Sequence, residues 1–377
     1  MFKSNELVQM KKLAIIIGGR PQYIKAGIVL KELSSATGKL DISVIDTGQH
    51  YDFEMSQRFV EEFGIPVSKS FSLQNASFEG KFSEIYLNLF RVFKSSAFDA
   101  VLVFGDTNST LAAALAAKQC GSRLYHVEAG LRSGDFRMPE ETNRVMTDSI
   151  SNVLYCPTDE SFERLSSQLA NTEQVVIFSG DVMFDGVLSV VRNLPGKKEA
   201  RNQEIDKGVL TLHRNTNTDD EDRLNEILSN LILVLEENKI VFPLHPRLKA
   251  ILEKSQLESA AKFLEHQNLE VLNPLGYEEL IATIYSADFV ITDSGGVQKE
   301  AYFLKKPTLI LRNNTEWKDI LSSSCRLYNS EEKMIFQLNE IKAAKIEFDS
   351  TVFGDGRSAE IISRSIIKDL CAEYLDL

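Results

Sequence analysis

The chain has few cysteines, and none stand close together. Cys120, Cys156, Cys325 and Cys371 form no C-x-x-C unit, so neither a zinc site nor a disulfide framework is signalled. A reducing, cytoplasmic location is the expectation. There is no long basic run, and the formal net charge is -12, which argues against a nucleic-acid surface. No apolar run is long enough to span a bilayer. The opening stretch, MFKSNELVQMKK, lacks the apolar core and cleavage site of a secretory leader and reads as a frayed extension. The histidines form no H-x-x-x-H pair, so no metal is proposed. The absence of a G-x-S-x-G elbow and of a G-x-x-x-x-G-K-[ST] loop argues against a serine hydrolase and a Walker-type nucleotide hydrolase. The turn IIIGGRPQYIKAG has two glycines but not the G-x-G-x-x-G spacing of a dinucleotide fingerprint.

What is present is a soluble, globular composition, 43% hydrophobic and 25% charged, over 377 residues. That length exceeds one typical core, so two domains are expected. Short β-rich apolar runs alternate with helical periods, the pattern of βαβ units on a parallel sheet. The first half carries such runs at 13–19, 42–48, 100–106, 123–130, 153–158 and 175–181, with helical segments such as 23–33, 55–63, 82–93 and 109–118. After a polar patch at 193–206 the alternation restarts at 208–214, 239–246, 269–274, 288–296 and 307–313. The reading is α/β: two doubly wound, Rossmann-like parallel-sheet domains facing a cleft. The first is expected over 1–182, with an amphipathic C-terminal helix at 358–377 packing back on it. The second is expected over 183–357.

The most informative stretch is FGDTNSTLAAALAAKQCGSRLYHVEAGLRSGDFRMPEETNR, 104–144. It sets Asp106, Glu128 and Glu140 just past buried strands or on loops, beside Arg132 and Arg144. Open α/β sheets hold ligands at the carboxyl ends of their strands, and several acids converging there suggest proton transfer. Taken singly, each acid also fits a helix cap or a surface ion pair. Arg20 and Lys25 bring cations to the first strand exit. His126 lies inside a strand and reads as a packed core residue.

In the second half, TDSGGVQKEA places Ser294, Gly295 and Gly296 between a buried strand and a helix. Glycine lets a ligand approach the backbone, and free N–H groups at a helix start favour a phosphate. Glu300, one turn later, suits a ribose diol. The plainer alternative is a serine N-cap with glycines for turn geometry. His213 and His245 end two strands in matching positions. VLVFGDTNSTLAAAL and FVITDSGGVQKEA share an order of strand, aspartate, small hydroxyl residue and helix, read either as two copies of one ancestral plan or, in preference for so short a match, as common βα-loop chemistry.

Assembled, these motifs resemble the non-hydrolysing UDP-N-acetylglucosamine 2-epimerases of bacteria and archaea. The likeness runs from GGRPQYIKA through TGQHYD, GDTNSTLAAALAA, HVEAGLRS, MPEETNRVMTD, CPT, GDVMFD, LHPR, TDSGGVQKEA and NTEW to GDGRSAE. It implies a two-domain glycosyltransferase-B type fold. It implies that Arg20, Lys25, His213, Ser294, Gly295, Gly296 and Glu300 hold the UDP part. Asp106, Glu128 and Glu140, with Arg144 and His213, match the catalytic positions. Gln49, His50 and His245 fall in motifs that in some members help bind a second, activating substrate molecule. The resemblance further implies a UDP-sugar substrate, no cofactor or metal, no nucleic-acid or membrane partner, a homodimer, and a role in surface polysaccharide precursor synthesis.

Two motifs depart from the usual pattern. The TER triplet is here Thr315-Glu316-Trp317, and the RPE turn is Arg20-Pro21-Gln22. Both variants look like the subgroup acting on UDP-2,3-diacetamido-2,3-dideoxyglucuronate. An aromatic at 317 can stack on a ligand or pack internally. Leu275 and Leu280 stand where the family often has Gln and Phe near the uracil, leaving uracil contacts to the backbone. The implied chemistry is loss of UDP to a 2-acetamidoglucal, then re-addition with inversion at C2. The rival readings are a hydrolysing epimerase, a glycosyltransferase of the same fold, and a catalytically dead sugar-nucleotide sensor.

Overall fold

The computed structural model describes residues 10–34, 38–49, 53–74, 77–194, 205–255, 257–349 and 351–371. Its contacts divide the chain into two compact units, one of Met1–Gly186 with Ser350–Leu377 and one of Val187–Asp349.

The first unit holds a seven-stranded sheet. Its strands are β1 (Lys11–Ile17), β2 (Leu40–Asp46), β3 (Val67–Ser70), β4 (Ala100–Phe104), β5 (Arg123–Val127), β6 (Val153–Cys156) and β7 (Val175–Phe178). They lie in the order β3-β2-β1-β4-β5-β6-β7, every neighbour pair parallel. Parallel strands need crossovers, and those helices cover both faces, so β1 and β4 read as continuous apolar runs rather than alternating ones. The helix Asn108–Gln119 is alanine-rich and buried along most of its length. Small side chains let it lie close against both the sheet and the helix Phe78–Ser96, in a core with Ala14, Val101, Val103 and Phe93.

The C-terminal helix Ser358–Cys371 belongs to this unit and packs on the helix Arg20–Leu33. Asp369 accepts hydrogen bonds from the Arg123 guanidinium and the Tyr125 hydroxyl, and Tyr155 donates to Ser365 Oγ at 3.0 Å.

The second unit repeats the plan with six strands: β8 (Lys207–Thr211), β9 (Lys239–Pro243), β10 (Leu269–Leu272), β11 (Phe289–Thr292), β12 (Thr308–Ile310) and β13 (Cys325–Leu327). The order is β10-β9-β8-β11-β12-β13, again parallel throughout. Leu210, Phe242, Phe289, Ile291 and Leu309 meet Leu224, Ile227, Leu228 and Leu231 of the helix Glu221–Leu235 in one core. The α/β, doubly wound reading therefore holds. The edge strands β3 and β13 are additions to it.

In such sheets the strand order reverses at one point, where neighbouring crossovers leave toward opposite faces and open a crevice. Here the reversals fall between β1 and β4 and between β8 and β11. The strand exits at these points are Gly18–Arg20 and Gly105–Asp106 in the first unit. In the second they are His213–Arg214 and Asp293–Ser294.

Candidate active site

In the first unit, the β4 exit places Gly105 and Asp106 ahead of the helix Asn108–Gln119, which Thr107 caps through its side chain. Asp106 is half-buried and ion-paired with Arg144, whose other terminal nitrogen stands 3.1 Å from Glu141. Asn143 Nδ2 donates to the Asp106 carbonyl at 2.9 Å. Both anchors come from the helix Pro139–Ile150, so this helix fixes Asp106 from its side chain and its backbone.

At the β5 exit Glu128 takes a left-handed backbone, φ 69°, which is costly for a bulky residue. Its carboxylate is ion-paired with buried Lys25. A Cβ placed on Gly105 would lie 3.2 Å from Glu128 Oε2 and 4.0 Å from Lys25 Nζ, so the Lys25–Glu128 pair borders the Asp106 loop. Glu140 sits one turn before Arg144 on their shared helix. It is half-buried, with no hydrogen-bond or ion-pair partner among the described residues. Its neighbour Glu141 is 1% exposed and accepts from Ser133 N, Ser133 Oγ and Gly134 N. Burial pushes the Glu141 carboxyl up, but these donors and Arg144 outweigh it and hold it below the usual range. Glu141 thus shapes the loop between the acids.

His126 is core, as read, yet its ring does more than fill space. Nε2 lies 2.8 Å from the Gly105 carbonyl and Nδ1 lies 2.8 Å from Asp148, which also takes the Gly130 amide and Arg132. The ring ties the β4 exit to the helix carrying Glu140 and Arg144. Gly18 shows why the β1 exit needs glycine: an added Cβ would fall 2.1 Å from Thr47 Oγ1 and 2.4 Å from Ser109 Oγ. Gln49 Oε1 accepts from Ser109 N and Oγ at 2.8 and 2.6 Å. Arg20 leans its guanidinium over Phe59, 5.1 Å from the ring centre. His50 lies outside the described residues.

In the second unit the hub is Asp293, fully buried at the β11 exit. Its oxygens accept from His213 N at 3.0 Å, Arg214 N at 2.8 Å and Asn217 Nδ2 at 3.2 Å, and lie 3.1 Å from His213 Nδ1. Burial alone would raise this carboxyl. The His213 ring and the backbone donors more than reverse that, leaving it below the ordinary range. A neutral His213 held this way carries its proton on Nδ1 and presents a lone pair at Nε2. Its ring stacks on His245, 5.6 Å between centres. His245 in turn caps the helix Pro246–Lys254 by accepting from Arg247 N at 3.2 Å.

Ser294 caps the helix Gly295–Phe303, accepting from Val297 N, and Ser294, Gly295 and Gly296 are half-exposed. A Cβ on Gly295 would meet Glu316 Oε1 at 3.1 Å, Arg214 Nη2 at 3.5 Å and Arg312 Nη1 at 3.7 Å. One on Gly296 would stand 3.8 Å from Glu300 Oε1, and Glu300 is buried. Arg312 is 8% exposed; Nη2 binds Glu316 at 2.9 Å, while Nη1 is buried with no hydrogen-bond partner among the described residues. A helix start with free N–H groups and a guanidinium hydrogen held in reserve fits an anion.

The sequence reading named Ser294, Gly295, Gly296, Glu300 and His213, and Glu316 within the Thr315-Glu316-Trp317 triplet, but not Asp293 or Arg312. The aspartate after β11 was visible in TDSGG. Nothing in ILRNN marked Arg312. Leu280 is core with Val209, Ile284 and Val290, and Leu275 packs against the same cluster. Trp317 packs internally, 4% exposed, with its ring under Lys299. The structure thus gathers Lys25, Asp106, Glu128 and Arg144, with Glu140 on the adjoining turn, in the first unit. It gathers His213, His245 and Ser294–Gly296 in the second. Among the described residues no group of His, Cys, Asp and Glu is placed to hold a metal ion, and no helix is long and apolar enough to cross a membrane.

Comparison with known proteins covers both units. The family model described as UDP-N-acetylglucosamine 2-epimerase matches residues 31–367. The chain is 39% identical to a UDP-N-acetylglucosamine 2-epimerase homolog of Methanococcus maripaludis, over 92% of this chain and 97% of that one. It is 36% identical to the UDP-2,3-diacetamido-2,3-dideoxy-D-glucuronate 2-epimerase of Pseudomonas aeruginosa, over 95% and 99%. Among solved structures, the Methanocaldococcus jannaschii UDP-GlcNAc 2-epimerase in complex with UDP-GlcNAc and UDP superposes with a TM-score of 0.82 at 32% identity, covering 94% of this chain and 99% of that one. The fold is accordingly of the glycosyltransferase-B type.

Proposed function

We propose that this chain, which belongs to the UDP-N-acetylglucosamine 2-epimerase family, inverts C2 of a UDP-2-acetamido sugar, converting UDP-N-acetylglucosamine to its manno epimer without hydrolysis. The observation that carries the reading is that one unit holds an acid cluster and the other holds an anion-fitted helix start, in a chain of this family.

C2 bears a hydrogen on an unactivated carbon, so direct deprotonation is hard. Breaking the C1–O bond first develops positive charge at C1 and expels UDP as an anion. The helix start at Ser294–Gly296, with Arg214 and Arg312, stabilises that diphosphate, and Glu300 takes the ribose hydroxyls. A carboxylate then removes the C2 proton, giving the 2-acetamidoglucal. Re-addition of UDP delivers a proton to C2 from the other face. Two faces need two proton-handling groups, and Asp106, Glu128 and Glu140 supply them. Lys25 and Arg144 hold Glu128 and Asp106 in place. His213, oriented by Asp293, is a further proton acceptor or donor through Nε2. His245, and Gln49 with His50, are assigned to a second, activating sugar nucleotide. The working form is assigned as a cytoplasmic homodimer.

The relative from Pseudomonas aeruginosa supports a second reading, the same inversion on UDP-2,3-diacetamido-2,3-dideoxyglucuronate. One experiment tests both. Incubation of each sugar nucleotide in D2O, followed by proton NMR, gives deuterium at C2 and a gluco/manno mixture with the true substrate, without added metal or NAD. Inversion without solvent exchange, or release of free sugar as the product, overturns the mechanism. The kcat/KM ratio for the two sugars chooses between the readings.

A further inference from the structure

Lys299 is 2% exposed, and an ammonium group buried this deeply needs favourable contacts around it. Its ammonium stands 3.5 Å above the centre of the Trp317 ring, itself 4% exposed. An indole face is the strongest aromatic partner for a cation, and the contact strengthens when water is excluded. Lys299 lies on the helix Gly295–Phe303, one turn beyond Gly295. The ring therefore seats one turn below the helix start assigned to the diphosphate.

Hydrogen bonds run alongside this contact. Trp317 N donates to Thr315 Oγ1 at 3.1 Å, Thr315 Oγ1 donates to Gln298 Oε1 at 2.9 Å, and Gln298 Nε2 donates to the Gly295 carbonyl at 3.3 Å. The same segment carries Glu316, whose Oε2 holds Arg312 while Oε1 faces Gly295. Ring, hydroxyl and amide thus pin 312–317 to the first turn of the helix.

We propose that Trp317 is a positioning residue for the diphosphate site: its ring, seated under Lys299, sets where Arg312 and Glu316 stand against Gly295. This rests on the reading that UDP occupies the Ser294–Gly296 helix start. A cation at 317 would face Lys299 across a site without water to screen it. The segment would move off the helix and take the Arg312 guanidinium with it. A phenyl ring keeps an aromatic face toward Lys299.

The test uses the full chain and UDP as probe, with dissociation constants from calorimetry. Trp317→Arg and Lys299→Met each weaken UDP about tenfold, whereas Trp317→Phe stays within about threefold. Lys299→Glu combined with Trp317→Arg restores binding to within about threefold of the unaltered chain, because the charges again attract. With the sugar nucleotide, KM rises and kcat holds, since the diphosphate contact is made before and during the reaction. Trp317 is the chain's single tryptophan, so its emission reports this place alone. Removing the charge in Lys299→Met shifts that emission. If the unaltered chain binds UDP and the folded variants bind it equally well, with only melting temperature changed, the positioning role is overturned. Unchanged emission in Lys299→Met overturns it too. Should Trp317→Arg fail to fold, Lys299→Met decides alone. If the unaltered chain binds no UDP, it is the underlying placement of UDP that falls.

Discussion

The loops after β4 and β11 carry nearly the same message, strand, aspartate, small hydroxyl residue, helix, and the fold uses their aspartates in opposite ways. Asp106 is half-exposed and reaches a side chain, Arg144, on another helix. Asp293 has no exposure and turns inward to backbone amides and the His213 ring. The first is available to a ligand. The second builds the platform on which His213 and Arg214 stand. Position in a motif therefore does not assign a role. The donors that surround a carboxylate do.

The sharpest way to break this contrast is to neutralise both kinds of carboxylate. Asp106→Asn, Glu128→Gln and Glu140→Gln should each lower kcat by about two orders of magnitude or more, as expected when proton transfer is removed. Asp106→Asn should cost only about 1 kcal/mol of stability, because the pair is partly solvated and Arg144 keeps Glu141 as a partner. Steady-state kinetics beside denaturant unfolding checks both halves. Near-normal turnover in all three would show that the acids are misassigned.

Asp293→Asn should do the reverse. An amide must turn its NH2 toward donors that already crowd the site, so stability should fall by about 3 kcal/mol. Its pH dependence has a definite sign. The native carboxyl ionises below its unfolded range, so the native state binds fewer protons than the unfolded chain between the two values. The contribution is complete above about pH 4, where the unfolded carboxyl is ionised, and is lost as pH falls through the native value. Unfolding measured from neutral pH downward should therefore slope more steeply in the unaltered chain than in Asp293→Asn. Equal slopes would remove Asp293 as the hub.

Much of this was legible in the sequence, and the misses have causes. Strands buried on both faces announce themselves as apolar runs, so eleven strands could be placed without coordinates. The strands β3 and β13 have few residues and little apolar content, VSKS and CRL, and only pairing with a neighbour defines them. Glu140 and Glu141 are adjacent in sequence but about 100° apart around a helix, so no local signal says that Glu141 alone turns into the loop. Arg312 and the seat of Lys299 on Trp317 depend on packing between segments. His126 read as core because it lies mid-strand, and its two hydrogen bonds became visible only once β4 and the helix Pro139–Ile150 were beside it.

The smallest expected effects come from the glycines of the two loops, and they sharpen the comparison most finely. Gly105 has φ 63°, and an added Cβ would press on Glu128 Oε2 at 3.2 Å. Gly295 has no such backbone demand, and its Cβ would press on Glu316 Oε1 at 3.1 Å, in front of Arg312 and Arg214. Gly105→Ala should therefore lose about 1 kcal/mol of stability to left-handed strain and lower kcat, because it moves a carboxylate proposed to handle a proton. Gly295→Ala should keep stability and kcat but raise KM and the UDP dissociation constant by about threefold to tenfold, since one methyl stands in the proposed path of the diphosphate. Calorimetry with UDP and turnover on the same two proteins read the split directly. If both substitutions changed KM alone, the acid loop would be a binding element like its counterpart, and the distinction between the two loops would not survive.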